Sequence, residues 1–193
     1  MLLSCTSKWC WKSQRSGGCA LSNRDVLAKE GMGYIAKFAR VSEDVVRVTV
    51  ERDSDSVTKL IEQAHDQEIA LLRYNNEAGL SALVSLMYLL ARNRYEVVLE
   101  KHAGKGYADM AFVPVNRAGA HLTPFMVELK VVAGCETAEH ALAKAMKQIK
   151  DRNYSAVFHD ALIREDKCVN SPLAVGIAWD PHDKVHLCAI DGY

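Results

Sequence analysis

The stretch 125–132 reads "FMVELKVV". In an extended chain Phe125, Val127, Leu129 and Val131 fall on one side, and Met126, Glu128, Lys130 and Val132 on the other. An acid and an amine therefore stand together on one face of a strand whose back is apolar. Asp109 opens the apolar segment before it, "ADMAFVPV". Hydrolysing a phosphodiester needs a cation to neutralise charge on the phosphorus oxygens and a way to make water nucleophilic. Asp109 and Glu128, from adjacent strands, are suited to clamp Mg²⁺ (or Mn²⁺), since hard ions prefer oxygen ligands and keep several waters. Lys130 would then lie within reach of a water beside the metal, or of the phosphate.

Each residue also has a plainer explanation. Glu-x-Lys is common on solvated strands, where the ion pair contributes ~0–1 kcal/mol. Glu77, in the first turn of a helix, sits roughly 70° from the centre of its apolar stripe at 100° per residue. At that edge it can face the sheet, or simply favour the positive end of the helix dipole by ~0.3–1 kcal/mol. Gln148 lies at the border of a second helix's stripe, one turn after Lys144. It is the ordered set that points to a site.

The elements that must position these residues follow from periodicity. Leu80, Leu83, Val84, Met87, Leu90 and Ala91 keep the i, i+3, i+4, i+7 rule, with Asn75 or Asn76 as N-cap, and predict a helix to about Asn93. Three strands follow, in "YEVVLEKH", "ADMAFVPV" and "LTPFMVELKVV", with links short enough for a meander. Ala138, Ala141, Leu142, Ala145 and Ile149 mark a helix from about Glu136 to Arg152. "SPLAVGIAWD" and "KVHLCAID" read as late strands joined by "PHD". Upstream, "VVRVTV" reads as a strand and "DSVTKLIEQAHDQ" as a helix. Residues 1–24 read as a disordered or non-native tail, 25–70 as a mixed lead-in, and 71–193 as the domain carrying the site. The fold class is α/β, with a central sheet covered by helices.

The 193 residues suffice for one domain with a core. Hydrophobic residues make up 49% and charged residues 25%, an ordinary globular balance. With 24 Lys and Arg against 24 Asp and Glu, no global positive field advertises a polyanion partner, so any such contact must be local. The six cysteines show no Cys-x-x-Cys pair, which argues against structural zinc and for reduced thiols in a cytoplasmic protein. No run approaches the ~20 apolar residues of a membrane span.

As a composite, "GKGYAD", "VELK" and "QIKDRNY" resemble the PD-(D/E)XK nuclease superfamily, in particular a bacterial group whose domain usually follows an AAA-ATPase-like domain. The resemblance runs from about Leu71 to the end of the chain. It implies a restriction-endonuclease-like αβββαβ core with a central mixed sheet flanked by helices. It further implies Asp109 and Glu128 as metal ligands, Lys130 as catalytic base or phosphate-positioning cation, Glu77 as a supporting acid and Gln148 as an orienting residue. Tyr154 matches the pattern and is assigned to packing. Ala108 stands where the superfamily's name has Pro, a position that supplies no ligand. No G-x-x-x-x-G-K-[ST] sequence occurs, so the ATPase half is missing, and the chain is expected to be a stand-alone nuclease domain, a truncated descendant of a two-domain protein, or a part that works with an ATPase partner.

The reading that results is a Mg²⁺- or Mn²⁺-dependent nuclease acting on nucleic acid, DNA before RNA, with possible action as a homodimer. Lys101, Lys105 and Lys144 are the expected substrate contacts, with Lys147, Lys150 and Arg152 further along the helix. A catalytically inactive nuclease-fold module docking to a protein such as an ATPase is the alternative, and a degraded gene product is a third.

Overall fold

A computed structural model describes residues 34–68, 76–99, 109–115, 122–151, 158 and 171–192. In chain order the elements are α1 (Tyr34–Val50), α2 (Ser54–Glu68), α3 (Glu77–Met87), a 3₁₀ segment (Leu89–Asn93), β1 (Tyr95–Leu99), β2 (Met110–Pro114), β3 (Phe125–Val131), α4 (Ala138–Asp151), β4 (Leu173–Asp180) and β5 (Val185–Gly192). The five strands form one sheet in the order β1-β2-β3-β4-β5. β1 to β3 make the expected antiparallel meander, β4 runs parallel to β3, and β5 returns antiparallel to β4. A parallel neighbour requires a crossover, and α4 lies in the connection between β3 and β4. The arrangement is the α/β fold that the periodicity predicts, with the mixed sheet flanked by helices that the resemblance implies.

Strand alternation assigns the two faces. Phe125, Val127 and Leu129 of β3 join Leu173, Val175, Ile177 and Trp179 of β4 in a core with Val45 and Val48 of α1, Val57 and Ile61 of α2, and Leu80, Leu83, Val84 and Met87 of α3. On the other face, Met126 and Ala174 pack with Ala111, Val113, Phe158 and Ile149 of α4, with Met146 against them. Glu128 and Lys130, in phase with Met126, belong to the α4 face.

Two expectations are corrected. "VVRVTV" is not a strand but the end of α1. Its β-branched run suits a strand, yet Val45, Val48 and Thr49 are buried at spacings of three and four. Thr49 Oγ1 donates back to the Val45 carbonyl at 2.7 Å, a bond available only in a helix. Burial of that stripe overrides local strand preference. The helix predicted to reach Asn93 stops as an α-helix at Met87 and continues as a 3₁₀ turn. Tyr88 leaves the helical region to place its hydroxyl 2.7 Å from Thr49 Oγ1 in the core, and the Leu90 amide donates to Ser42 Oγ at 2.8 Å instead of continuing the ladder.

Asn76 is the N-cap of α3, its side chain accepting from the Gly79 amide at 2.8 Å. That cap fixes where α3 begins, and therefore where Glu77 stands. Among the described residues no helix is long and apolar enough to cross a membrane.

Candidate active site at the fork between β2 and β3

The β2/β3 ladder is short. It joins Phe112 to Phe125, Ala111 to Met126 and Met110 to Val127, and goes no further among the described residues. β3 continues through Val131, paired there with β4 among the described residues. Phe112 and Phe125 stack across the ladder with ring centroids 4.3 Å apart, an aromatic contact of about 0.5–1.5 kcal/mol that pins the strands at the end of the ladder away from the fork. Beyond Val127 the sheet forks, and the fork holds Asp109, Glu128 and Lys130.

The parting leaves β3 amides without a β2 partner, and a buried amide without an acceptor costs about 1–3 kcal/mol. Asp109 supplies the acceptor: its Oδ2 takes the Leu129 N–H at 2.7 Å, in place of a β2 backbone carbonyl. The acid at the mouth of β2 is thus tied by its side chain to the strand that carries Glu128.

Glu128 is only 1% exposed. That removes the plainer explanation of a solvated strand face. A carboxylate taken out of water must be paired. Its Oε1 accepts from Lys130 Nζ at 2.7 Å, while Lys130 also lies 3.7 Å from Glu77 Oε1. Glu77 projects from the first turn of α3, with its side chain 56% exposed, so the cluster runs from the buried interior outward to solvent. Burial works against the Lys130 ammonium, but the hydrogen bond and charge of Glu128, reinforced by Glu77 and Asp109, outweigh it and hold its pKa above the ordinary lysine value. Lys130 is consequently a fixed cation ringed by three acids.

Four of the five predicted catalytic positions, Glu77, Asp109, Glu128 and Lys130, gather here. Gln148 is half-buried on α4, one residue before the buried Ile149, and makes no hydrogen bond among the described residues. Lys144 is exposed and paired with Glu136 at 2.7 Å, where His140 joins at 3.2 Å. Lys147 pairs with Asp151, and Lys150 with Asp191 at 2.9 Å. The outer face of α4 is therefore a run of cations with local counter-charges. Lys101, Lys105, Arg152 and Tyr154 lie outside the described residues.

The donor set suits a hard divalent ion. Asp109 and Glu128 offer carboxylate oxygens, and an ion such as Mg²⁺ binds through one or two carboxylates, completing its shell with water and phosphate. Among the described residues no group of three or more His, Cys, Asp and Glu comes together in a way that would hold a metal. Cys135 and Cys188 are free thiols.

A residue that sequence reasoning passed over is Gly176, paired in register with Glu128. The only available signal was an isolated glycine inside the apolar run "LAVGIAWD", a pattern that often marks close backbone approach.

No curated protein matches the chain significantly. A family model of the PD-(D/E)XK nuclease superfamily matches residues 76–184, more than half of the chain, from the cap of α3 to the turn before β5. Every predicted catalytic position falls inside that match, and the mixed sheet agrees with a restriction-endonuclease-like fold. Fold, fork and match together place this chain in the PD-(D/E)XK nuclease superfamily.

Proposed function

We propose that the chain is a divalent-metal-dependent nuclease that hydrolyses phosphodiester bonds in DNA. The observation that carries this reading is the burial of Glu128 beside Lys130 at a strand fork whose other arm presents Asp109. A carboxylate sealed from water is rarely worth its desolvation for stability alone, so a buried acid paired with a part-exposed amine points to chemistry. Asp109 and Glu128 would hold Mg²⁺ or Mn²⁺. Bound there, the ion would screen charge on the phosphate oxygens and lower the pKa of a bound water.

The remaining work falls to the chain itself. Lys130, two positions beyond Glu128, serves as the catalytic base or as the cation that positions a phosphate oxygen. Glu77 holds Lys130 from the solvent side. Gln148, on the helix over β3 and β4, orients substrate or water. Lys101, Lys105 and Lys144 contact the phosphate backbone, a job suited to a local patch on a chain with no net charge.

The test uses the purified full chain with plasmid, single-stranded DNA and RNA in Mg²⁺ or Mn²⁺. Wild type is expected to cut DNA, to stop on chelation and to resume when ion is restored. Asp109→Ala, Glu128→Ala and Lys130→Ala are expected to lose at least 100-fold. Equal rates for wild type and Glu128→Ala would remove the catalytic claim, and a folded chain that binds no divalent ion by calorimetry would identify a non-catalytic module.

A further inference from the structure

Glu128 shares its face of the sheet with the small residues of β4, since Met126 stands opposite Ala174, Glu128 opposite Gly176 and Lys130 opposite Ala178. A Cβ at Gly176 would lie 2.9 Å from Met146 Sδ, 3.1 Å from Met146 Cγ and 3.2 Å from Leu142 Cδ1. The space that any other residue would fill is taken by two side chains of α4. Met146 also packs against the cluster of Met126, Ala174 and Ile149. Helix and sheet are therefore in close contact at the position opposite Glu128, which is itself 1% exposed.

We infer that Gly176 is a positioning residue for Glu128, resting on the nuclease reading above. It acts through Met146 and Leu142, letting α4 seat close enough to exclude water from the Glu128 carboxylate and hold it toward Lys130. A methyl group at 176 meets the middle of Met146 and the end of Leu142, so both side chains must shift and α4 seats less closely on β4. Glu128 then gains solvent and a choice of rotamers. Its grip on a divalent ion weakens because the carboxylate is no longer held in one place.

The experiment compares wild type, Gly176→Ala, and Gly176→Ala combined with Met146→Ala, which returns the missing space. Thermal unfolding reports the fold, calorimetry with Mn²⁺ reports the ion, and the carboxyl carbon resonance of Glu128 in ¹³C-glutamate-labelled protein, assigned with Glu128→Gln, reports its surroundings. Gly176→Ala is expected to shift the Glu128 resonance, to weaken Mn²⁺ binding at least 10-fold and to raise the Mn²⁺ concentration for half-maximal cleavage equally, with the double variant recovering most of each. An unmoved Glu128 resonance overturns the inference, as does a shifted resonance that the double variant fails to restore. Wild type that neither binds Mn²⁺ nor cuts DNA would overturn the nuclease reading instead, and the resonance would still decide whether Gly176 sets the surroundings of Glu128.

Discussion

The side chain of Asp109 accepts the backbone amide of Leu129 at 2.7 Å, so the acid that opens β2 also closes the gap left where β2 and β3 separate. One carboxylate serves both as a strand cap and as a candidate ligand, and its two roles respond differently to substitution. Asp109→Ala removes both, leaving the Leu129 amide unmatched at about 1–3 kcal/mol. Asp109→Asn keeps an oxygen for that amide and is expected to recover at least half the stability, yet to cut no better than the alanine variant. Urea unfolding beside plasmid cleavage checks it, and the claim fails if Asn and Ala are equally destabilised.

Lys130 and Glu128 form an ion pair with one partner sealed from water and the other 24% exposed. Removing the amine takes a charge partner from a buried carboxylate. Lys130→Ala is expected to destabilise by about 1–3 kcal/mol, the part-exposed lysine keeping the figure below that of a fully buried pair. Glu128→Gln with Lys130→Met should be closer to wild type than Lys130→Ala alone. A double-mutant cycle by urea unfolding that shows additivity would mean the two side chains are not coupled.

His186 of β5 and His65 of α2 meet in the core at 3.2 Å, with Trp179 of β4 stacked on His186. Burial, and then the neighbouring His65, push the His186 pKa down to about 3. The folded chain refuses a proton that the unfolded chain accepts near the ordinary value of 6.5. Stability is therefore complete above about pH 6.5 and falls as pH drops toward 3, with a slope approaching about 1.4 kcal/mol per pH unit for one group. Urea unfolding at pH 7, 6 and 5 should show this loss, and His186→Phe should flatten it. An unchanged slope in that variant would place the acid sensitivity elsewhere.

Tyr88 is 2% exposed and shares a hydrogen bond with Thr49, and burial raises its phenol well above the ordinary value despite that bond. Thr49 also donates to Val45, so it retains a partner when the phenol is removed. Tyr88→Phe is expected to lower stability by about 0.5–1.5 kcal/mol, with cleavage unchanged. A loss of activity without a loss of stability would show that the α1–α3 contact reaches the fork.

Most elements were legible because each is written in a local rhythm. The 3.6-residue stripes announced α3 and α4, "DSVTKLIEQAHDQ" read as the helix α2, and short apolar runs between turn residues announced the five strands. The failure at Val45–Val50 has the same origin, since a run of β-branched residues fits either rhythm until burial decides. The break after Met87 was hidden because its causes, Thr49 and Ser42, lie on another helix.

By itself the sequence determined which side chains share a face of β3, the types of residue at the candidate site and the family resemblance, because these depend on identity and short-range spacing. Only the tertiary structure decided that the β2/β3 ladder ends at Met110, that Asp109 fills the resulting gap, and that Glu128 is out of water beside Gly176. Whether an acid is solvated or sealed depends on what packs over it. Here that covering comes from α4 and β4, whose positions relative to β3 no local pattern encodes.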